Sequence, residues 1–344
     1  ALYVYYAPRG TRYMDDPGPS PFVRHMGAFR NADLGVDDPP ASSVTRMPWI
    51  DIHQHGHTMS WGDRERVDLS GCEAAVFVAA AAHYAPYRPM RPEDVRFLWD
   101  DAIRRSHAIG RSHFFDPHVA IGIHTTGPKV DYEQLFDVLP DYAALDEVVA
   151  LGETGISMTQ YSEPMALEDQ EAVVREQMRV ADDQGLPILV HTPSVTKAEP
   201  DEWLTGKTEE GHDLADPVLD PATAKLDATK MDVALADEVG LADEQVVLDH
   251  AHPSMAEFVL EGTDCYLAFS IGQWIRTTTV EDVAAVIEEY GPERVIIDSD
   301  VAGMYQTQPF AMKRAMLDLV RAGVDEEDVR TVVYENPKAV LGLG

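Results

Sequence analysis

Two histidines close a short apolar run, Trp49-Ile50-Asp51-Ile52-His53-Gln54-His55. Side chains alternate across a strand, so His53 and His55 face the same way wherever extended backbone reaches them. Two imidazoles on one face of a strand end can grip a divalent ion. The plainer alternative is a pair of surface histidines in a turn, with His57 beside them. Four other apolar runs also leave on ionisable residues: Leu151-Gly152-Glu153-Thr154-Gly155, Leu189-Val190-His191-Thr192-Pro193, Leu248-Asp249-His250-Ala251-His252 and Ile297-Asp298-Ser299-Asp300. Five such endings are improbable as chance placement. Together they supply two sets of nitrogen and oxygen ligands, enough for two neighbouring divalent metals. The chemistry that follows is hydrolysis, because a divalent ion lowers the pKa of water from about 15.7 toward about 7 and a nearby carboxylate can take its proton.

Groups so far apart in the chain meet only if the fold gathers strand ends. From Pro48 onward, short apolar runs alternate with longer amphipathic stretches. The strand-like runs are Trp49–His53, Ala74–Ala80, Val119–His124, Val148–Gly152, Pro187–His191, Val246–His250, Tyr266–Ser270 and Arg294–Asp298. Most are apolar on both faces, as parallel strands between a helical layer and an inner core require. Leu167, Val174, Met178 and Ala181 share one helical face that ends at Gly185-Leu186-Pro187; Val283, Val286, Ile287 and Tyr290 repeat the design before Gly291-Pro292. Eight strands alternating with helices predict a closed (β/α)8 TIM barrel, in which catalytic groups collect at the C-terminal strand ends. An open doubly wound sheet is the competing architecture. Residues 1–47 lack steady periodicity and carry Pro17, Pro19, Pro21, Pro39 and Pro40. They are expected to form an irregular N-terminal extension that wraps the barrel domain, 48–344, or mediates self-association. The polar segment from Thr196 to Asp220 is expected to be an inserted loop over the mouth.

The order His-x-His, Gly-Glu-Thr-Gly, a histidine after strand five, a histidine after strand six and a late Asp resembles the TatD-like metal-dependent hydrolases of the amidohydrolase superfamily. Gly122-Ile123-His124 resembles that family's strand-three end, and Tyr334-Glu335-Asn336-Pro337-Lys338 its closing helix. The likeness runs from about Trp49 to the C-terminus and leaves residues 1–47 outside. It implies that His53 and His55 bind a first metal, that Glu153 bridges two metals, and that His191 and His250 bind the second. It also implies that Asp300, in Asp298-Ser299-Asp300, is both ligand and general base. The related phosphotriesterases use a lysine at strand four where this chain has Glu153. His57 and His252 are extra and either could displace an expected ligand; Asp298 could replace Asp300 as the functional acid. His124 is read as a substrate contact. His83, Trp274 and Arg276 could also face the pocket, whereas His25, His107, His113, His118 and His212 read as surface or structural groups.

The two divalent ions expected are Zn, Mn or Mg. The substrate is a small molecule or a nucleic acid with a phosphodiester, ester or amide bond. The reading from a different class is a non-catalytic metal-binding barrel acting as a binding or assembly module, a role the long extension would suit.

Composition narrows the setting. Sixty acidic against 27 basic residues give a net charge of −33 over 344 residues, spread along the whole chain. Molar salt shortens the screening length to roughly 3 Å, so such a surface suits a halophilic cytoplasmic protein. The same charge disfavours nucleic acid, whose phosphates want a basic footprint. Cys72 and Cys265 are the only cysteines and are expected to be buried thiols, which excludes a disulfide framework or a zinc ribbon. No apolar run reaches the ~18 residues of a membrane-spanning helix, and the segment from Ala1 to Tyr6 lacks the basic start of a secretory signal.

Overall fold

A computed structural model describes residues 44, 46–80, 91–125, 131–157, 166–193, 224–271, 278–302 and 308–344. Nearly all of the expected extension, the 196–220 segment, His25, His83, His212, Trp274 and Arg276 lie outside the described residues.

Eight strands form one parallel sheet in sequential order: β1 Trp49–Gln54, β2 Cys72–Ala79, β3 Asp116–Ile121, β4 Val148–Thr154, β5 Ile188–His191, β6 Val246–Asp249, β7 Tyr266–Ser270 and β8 Val295–Asp298. Every predicted strand is present. β1, β6 and β8 are buried at every position, as strands covered on both faces must be. The main crossover helices are α1 Trp61–Leu69, α2 Pro92–Gly110, α3 Leu167–Gln184, α4 Ala224–Val239, α5 Val280–Tyr290 and α6 Ala311–Ala322. In α3 the predicted face is inward, with Val174, Met178 and Ala181 fully buried. Gly185 ends this helix at φ 66°, a left-handed turn that glycine adopts without steric cost. In α5 a capping box starts the helix: the Thr279 side chain accepts from Asp282 N at 3.1 Å, and Asp282 accepts from Thr279 N at 3.0 Å.

The sequential order excludes the open doubly wound alternative, whose strand order reverses midway. β8 returns to β1 without a regular ladder. The loop after β8 closes the barrel instead: Asp300 N donates to His53 O at 2.8 Å and His55 N to Val301 O at 2.9 Å, with a parallel bridge between His55 and Ala302. The barrel is an eight-stranded (β/α)8 structure with a polar seam between its first and last strands. Val44 and Met47, at the end of the expected extension, are buried, and the Lys313 ammonium donates to both their carbonyls. Cys72 and Cys265 are free and buried; burial pushes the Cys265 thiol up to about 12, so it is an inert core group. Among the described residues no helix is long and apolar enough to cross a membrane.

Candidate metal centre

His53, His55, His124, Glu153, His191, His250 and Asp300 come from six different strand ends and meet in one place. Neighbouring ring centroids lie 5.3 Å apart for His53–His55, 5.2 Å for His53–His250, 4.6 Å for His191–His250 and 4.5 Å for His124–His191. Glu153 is central. Its Oε1 contacts His191 Nδ1 and lies 2.8 Å from His250 Nε2; its Oε2 lies 3.7 Å from His53 Nε2 and 3.8 Å from His124 Nε2. Asp300 Oδ1 lies 3.4 Å from His53 Nε2 and 3.2 Å from His55 Nε2. All are buried except His191, which is partly open.

Local backbone explains how the groups converge. Glu153 needs β3 and β4 to approach closely, and two glycines allow it: a Cβ on Gly122 would lie 2.8 Å from the backbone of Gly152, and one on Gly152 2.6 Å from Leu189 O. Gln177 of α3 then pins both strand ends. Its Oε1 accepts from Ile123 N at 2.7 Å, and its Nε2 donates to Ile123 O at 3.1 Å and Thr154 Oγ1 at 2.7 Å. The strand predicted to reach His124 stops at Ile121, so His124 sits on the turn that Gln177 holds. The strand predicted to reach His250 stops at Asp249. His250 and Asp300 both follow their strands in left-handed backbone, at φ 55° and 42°, a rare choice for non-glycine residues that turns each side chain out of strand alternation.

Three imidazoles present the same nitrogen to the cage. His55 Nδ1 faces the Val78 carbonyl at 2.9 Å, which can only accept. His53 Nδ1 contacts the Asp249 carboxylate. His250 Nδ1 lies 2.8 Å from Ser270 Oγ, whose hydroxyl donates to Asp249 Oδ1 at 3.1 Å. Each Nδ1 is therefore a donor, and each Nε2 faces Glu153 or Asp300. His53 Nε2 is buried with no hydrogen-bond partner among the described residues.

The electrostatics ask for a cation. Burial resists charge on His53, yet Glu153, Asp300 and Asp249 together push its imidazole well above the usual range. Burial likewise opposes ionisation of Glu153 and Asp300, but the surrounding imidazoles hold both carboxyls below theirs. Burial keeps His191 neutral, with its pKa pushed down to about 3. The cage thus combines ionised carboxylates with neutral or cation-seeking imidazoles. Three trios of ligand atoms lie close enough to share an ion: His53 with His55 and Glu153, His124 with Glu153 and His191, and His53 with Asp249 and His250. Imidazole and carboxylate together fit a divalent metal.

The geometry sorts the residues the sequence left open. His124, read as a substrate contact, lies in the same trio as His191. His252 turns away and accepts from Ser254 N at 3.2 Å. Asp298 is fully buried, and burial with the neighbouring Asp249 charge pushes its carboxyl well up. His107 pairs with Glu147 at 2.5 Å and His113 packs on Trp61 at 4.7 Å, both as structural groups. Sequence reasoning missed Asp51, Asp249, Gln177, Ser270 and Ser299. A signal existed for two: Asp51 stands two residues before His53, and Asp249 interrupts an apolar strand.

Comparison with known proteins agrees with this architecture. A family model described as TatD-related DNase matches residues 50–342. An uncharacterised metal-dependent hydrolase of Methanocaldococcus jannaschii is 28% identical over 294 residues, covering 86% of this chain and 100% of that relative. A TatD-like protein from Archaeoglobus fulgidus superposes with a TM-score of 0.59 at 20% identity, over 86% of this chain and 100% of that one. A phosphotriesterase homology protein from Escherichia coli, solved with phosphate in its active site, superposes with a TM-score of 0.55 at 14% identity, over 86% and 99%. The family match spans the barrel from its first strand to its last helix, and the chain belongs to the TatD-related DNase family of metal-dependent hydrolases.

Proposed function

We propose that the chain hydrolyses a phosphodiester, ester or amide bond with two divalent ions, Zn, Mn or Mg, held where the strand ends converge. The observation that carries this reading is the common orientation of His53, His55 and His250, each with Nδ1 committed outward and Nε2 turned to carboxylate oxygens. His53, His55 and Asp300 would hold one ion, His191 and His250 the other, and Glu153 would bridge them. The closeness of His124 to Glu153 and His191 favours giving it a share of the second ion. Ions in such a cage would acidify a water and polarise the scissile group.

Asp300 suits the general base. Its carboxyl stays ionised because His53, His55 and His250 surround it, and its Oδ1 stands between His53 and His55. It would take a proton from the attacking water and return it to the leaving group. Asp298, fully buried and held toward its neutral form, is the poorer candidate.

The family description puts a phosphodiester first among the three bonds. The net charge of −33 repels a polyanion, which favours a small phosphodiester over a long nucleic acid. The chain loaded with Zn²⁺, Mn²⁺ or Mg²⁺ in high salt should be assayed against a small phosphodiester, an oligonucleotide, a lactone and a dipeptide. Metal-dependent turnover of the phosphodiester is expected. No turnover of any of the four would overturn the reading and leave the rival one, a non-catalytic binding or assembly module.

A further inference from the structure

We infer that Asp249 is a positioning residue: a single carboxylate that aims two histidines, His53 and His250, at the cage, with Ser270 relaying its hold on the second. The inference rests on the metal-ligand reading above. Asp249 is fully buried at the end of β6. Its Oδ2 contacts His53 Nδ1. Its Oδ1 accepts from His250 N at 2.6 Å and from Ser270 Oγ at 3.1 Å, and Ser270 Oγ accepts from His250 Nδ1 at 2.8 Å. One oxygen therefore serves β1 and the other serves the turn after β6.

Each branch fixes a tautomer and a ring plane. A ring already fixed loses less freedom when it takes up an ion, and a carboxylate behind it raises the basicity of the far nitrogen. The register supports the geometry: Asp249 pairs with His191 across β5–β6, and Ser270 pairs with Asp298 across β7–β8. The relay is thereby set among strands that end on the cage. The chemistry also demands an aspartate. Asparagine has one acceptor oxygen where two are used. Glutamate adds a methylene in a fully buried place, and overpacking there displaces neighbours.

The test is titration of metal-free protein with Co²⁺ alone, read by calorimetry and by the visible absorption of the bound ion. Asp249→Ala and Asp249→Asn should weaken Co²⁺ binding about 10- to 100-fold with the number of ions per chain unchanged. Ser270→Ala should weaken it less and shift the spectrum, Ser270→Thr should recover affinity, and Ser270→Ala should add little in an Asp249→Ala background. If Asp249→Ala does not fold, the two Ser270 variants decide. Wild-type affinity and spectrum in Asp249→Ala would overturn the inference. So would outright loss of one Co²⁺ with a silent Ser270→Ala, which would make Asp249 itself a ligand. Failure of the wild type to bind Co²⁺, or full stoichiometry in the His53→Ala, His55→Ala double variant, would instead overturn the metal reading beneath it.

Discussion

Asp51 and Ser299 stand 248 residues apart in sequence and share two hydrogen bonds: the Ser299 N–H donates at 3.1 Å and its hydroxyl at 2.5 Å to the two oxygens of the Asp51 carboxyl. This pair ties the loop bearing Asp300 to the strand bearing His53, at the seam where β8 and β1 form no ladder. Asp51→Ala would leave both Ser299 donors without a buried acceptor, at a cost of about 1–3 kcal/mol. A lower melting temperature is expected, together with a fall in kcat on the order of 10- to 100-fold as Asp300 shifts. Full kcat in a destabilised Asp51→Ala would mean that the seam holds the barrel without setting the site.

Replacing His53 and His55 together with alanine should abolish both bound metal and turnover. Elemental analysis after dialysis is the direct measurement. Unchanged metal content would reject this pair as ligands, whatever happened to the rate.

Gln177 offers a test of positioning from outside the cage. Gln177→Leu keeps the volume and removes the bonds to Ile123 and Thr154, leaving a buried backbone donor unsatisfied at about 1–3 kcal/mol. Because those bonds hold the turn of His124 and the strand end of Glu153, metal affinity should drop along with stability. Calorimetric titration of the folded variant checks this, and an affinity equal to wild type would refute it.

How much of this was legible beforehand depended on backbone regularity. Each strand was readable because a run buried on both faces, such as Val246–Asp249, has no polar alternation to confuse it. His53 and His55 followed from the two-residue period of β1. His250 and Asp300 could be placed near the site but not aimed, since left-handed backbone at both breaks that period. Gln177 gave no sign, because a polar residue on an amphipathic helix reads as solvent-facing until packing is known. Asp249 and Ser270 became meaningful only through a chain of contacts across three strands.

Lys225 carries a pH prediction. Its buried ammonium donates to Thr192 Oγ1 and the Pro193 carbonyl, both at 2.7 Å. Burial lowers its pKa from 10.5 to about 7. Between those values the unfolded chain holds a proton that the native chain lacks, so this group makes stability rise with pH from about 7 to 10.5. Lys225→Met should remove that contribution. Urea unfolding of metal-free wild type and variant at several pH values across the window should show the wild type gaining on the variant as pH rises. A pH-independent difference would count against it.

The surface carries its own prediction. With 60 acidic and 27 basic residues, the folded chain repels itself, and the repulsion weakens as the screening length falls from about 8 Å at physiological salt to about 3 Å at 1 M. The melting temperature should climb steeply with KCl over that range. A flat or falling profile would remove the halophilic reading.

The polar seam has a temporal consequence. His53 emerges early in synthesis and Asp300 near the end, and their shared backbone bond, Asp300 N to His53 O at 2.8 Å, forms only when the eighth strand docks on the first. A ribosome-bound or truncated chain lacking β8 has most of its imidazoles but no closed cage. Hydrolytic competence therefore arrives in a single late step, so the enzyme is silent until the whole barrel has been made.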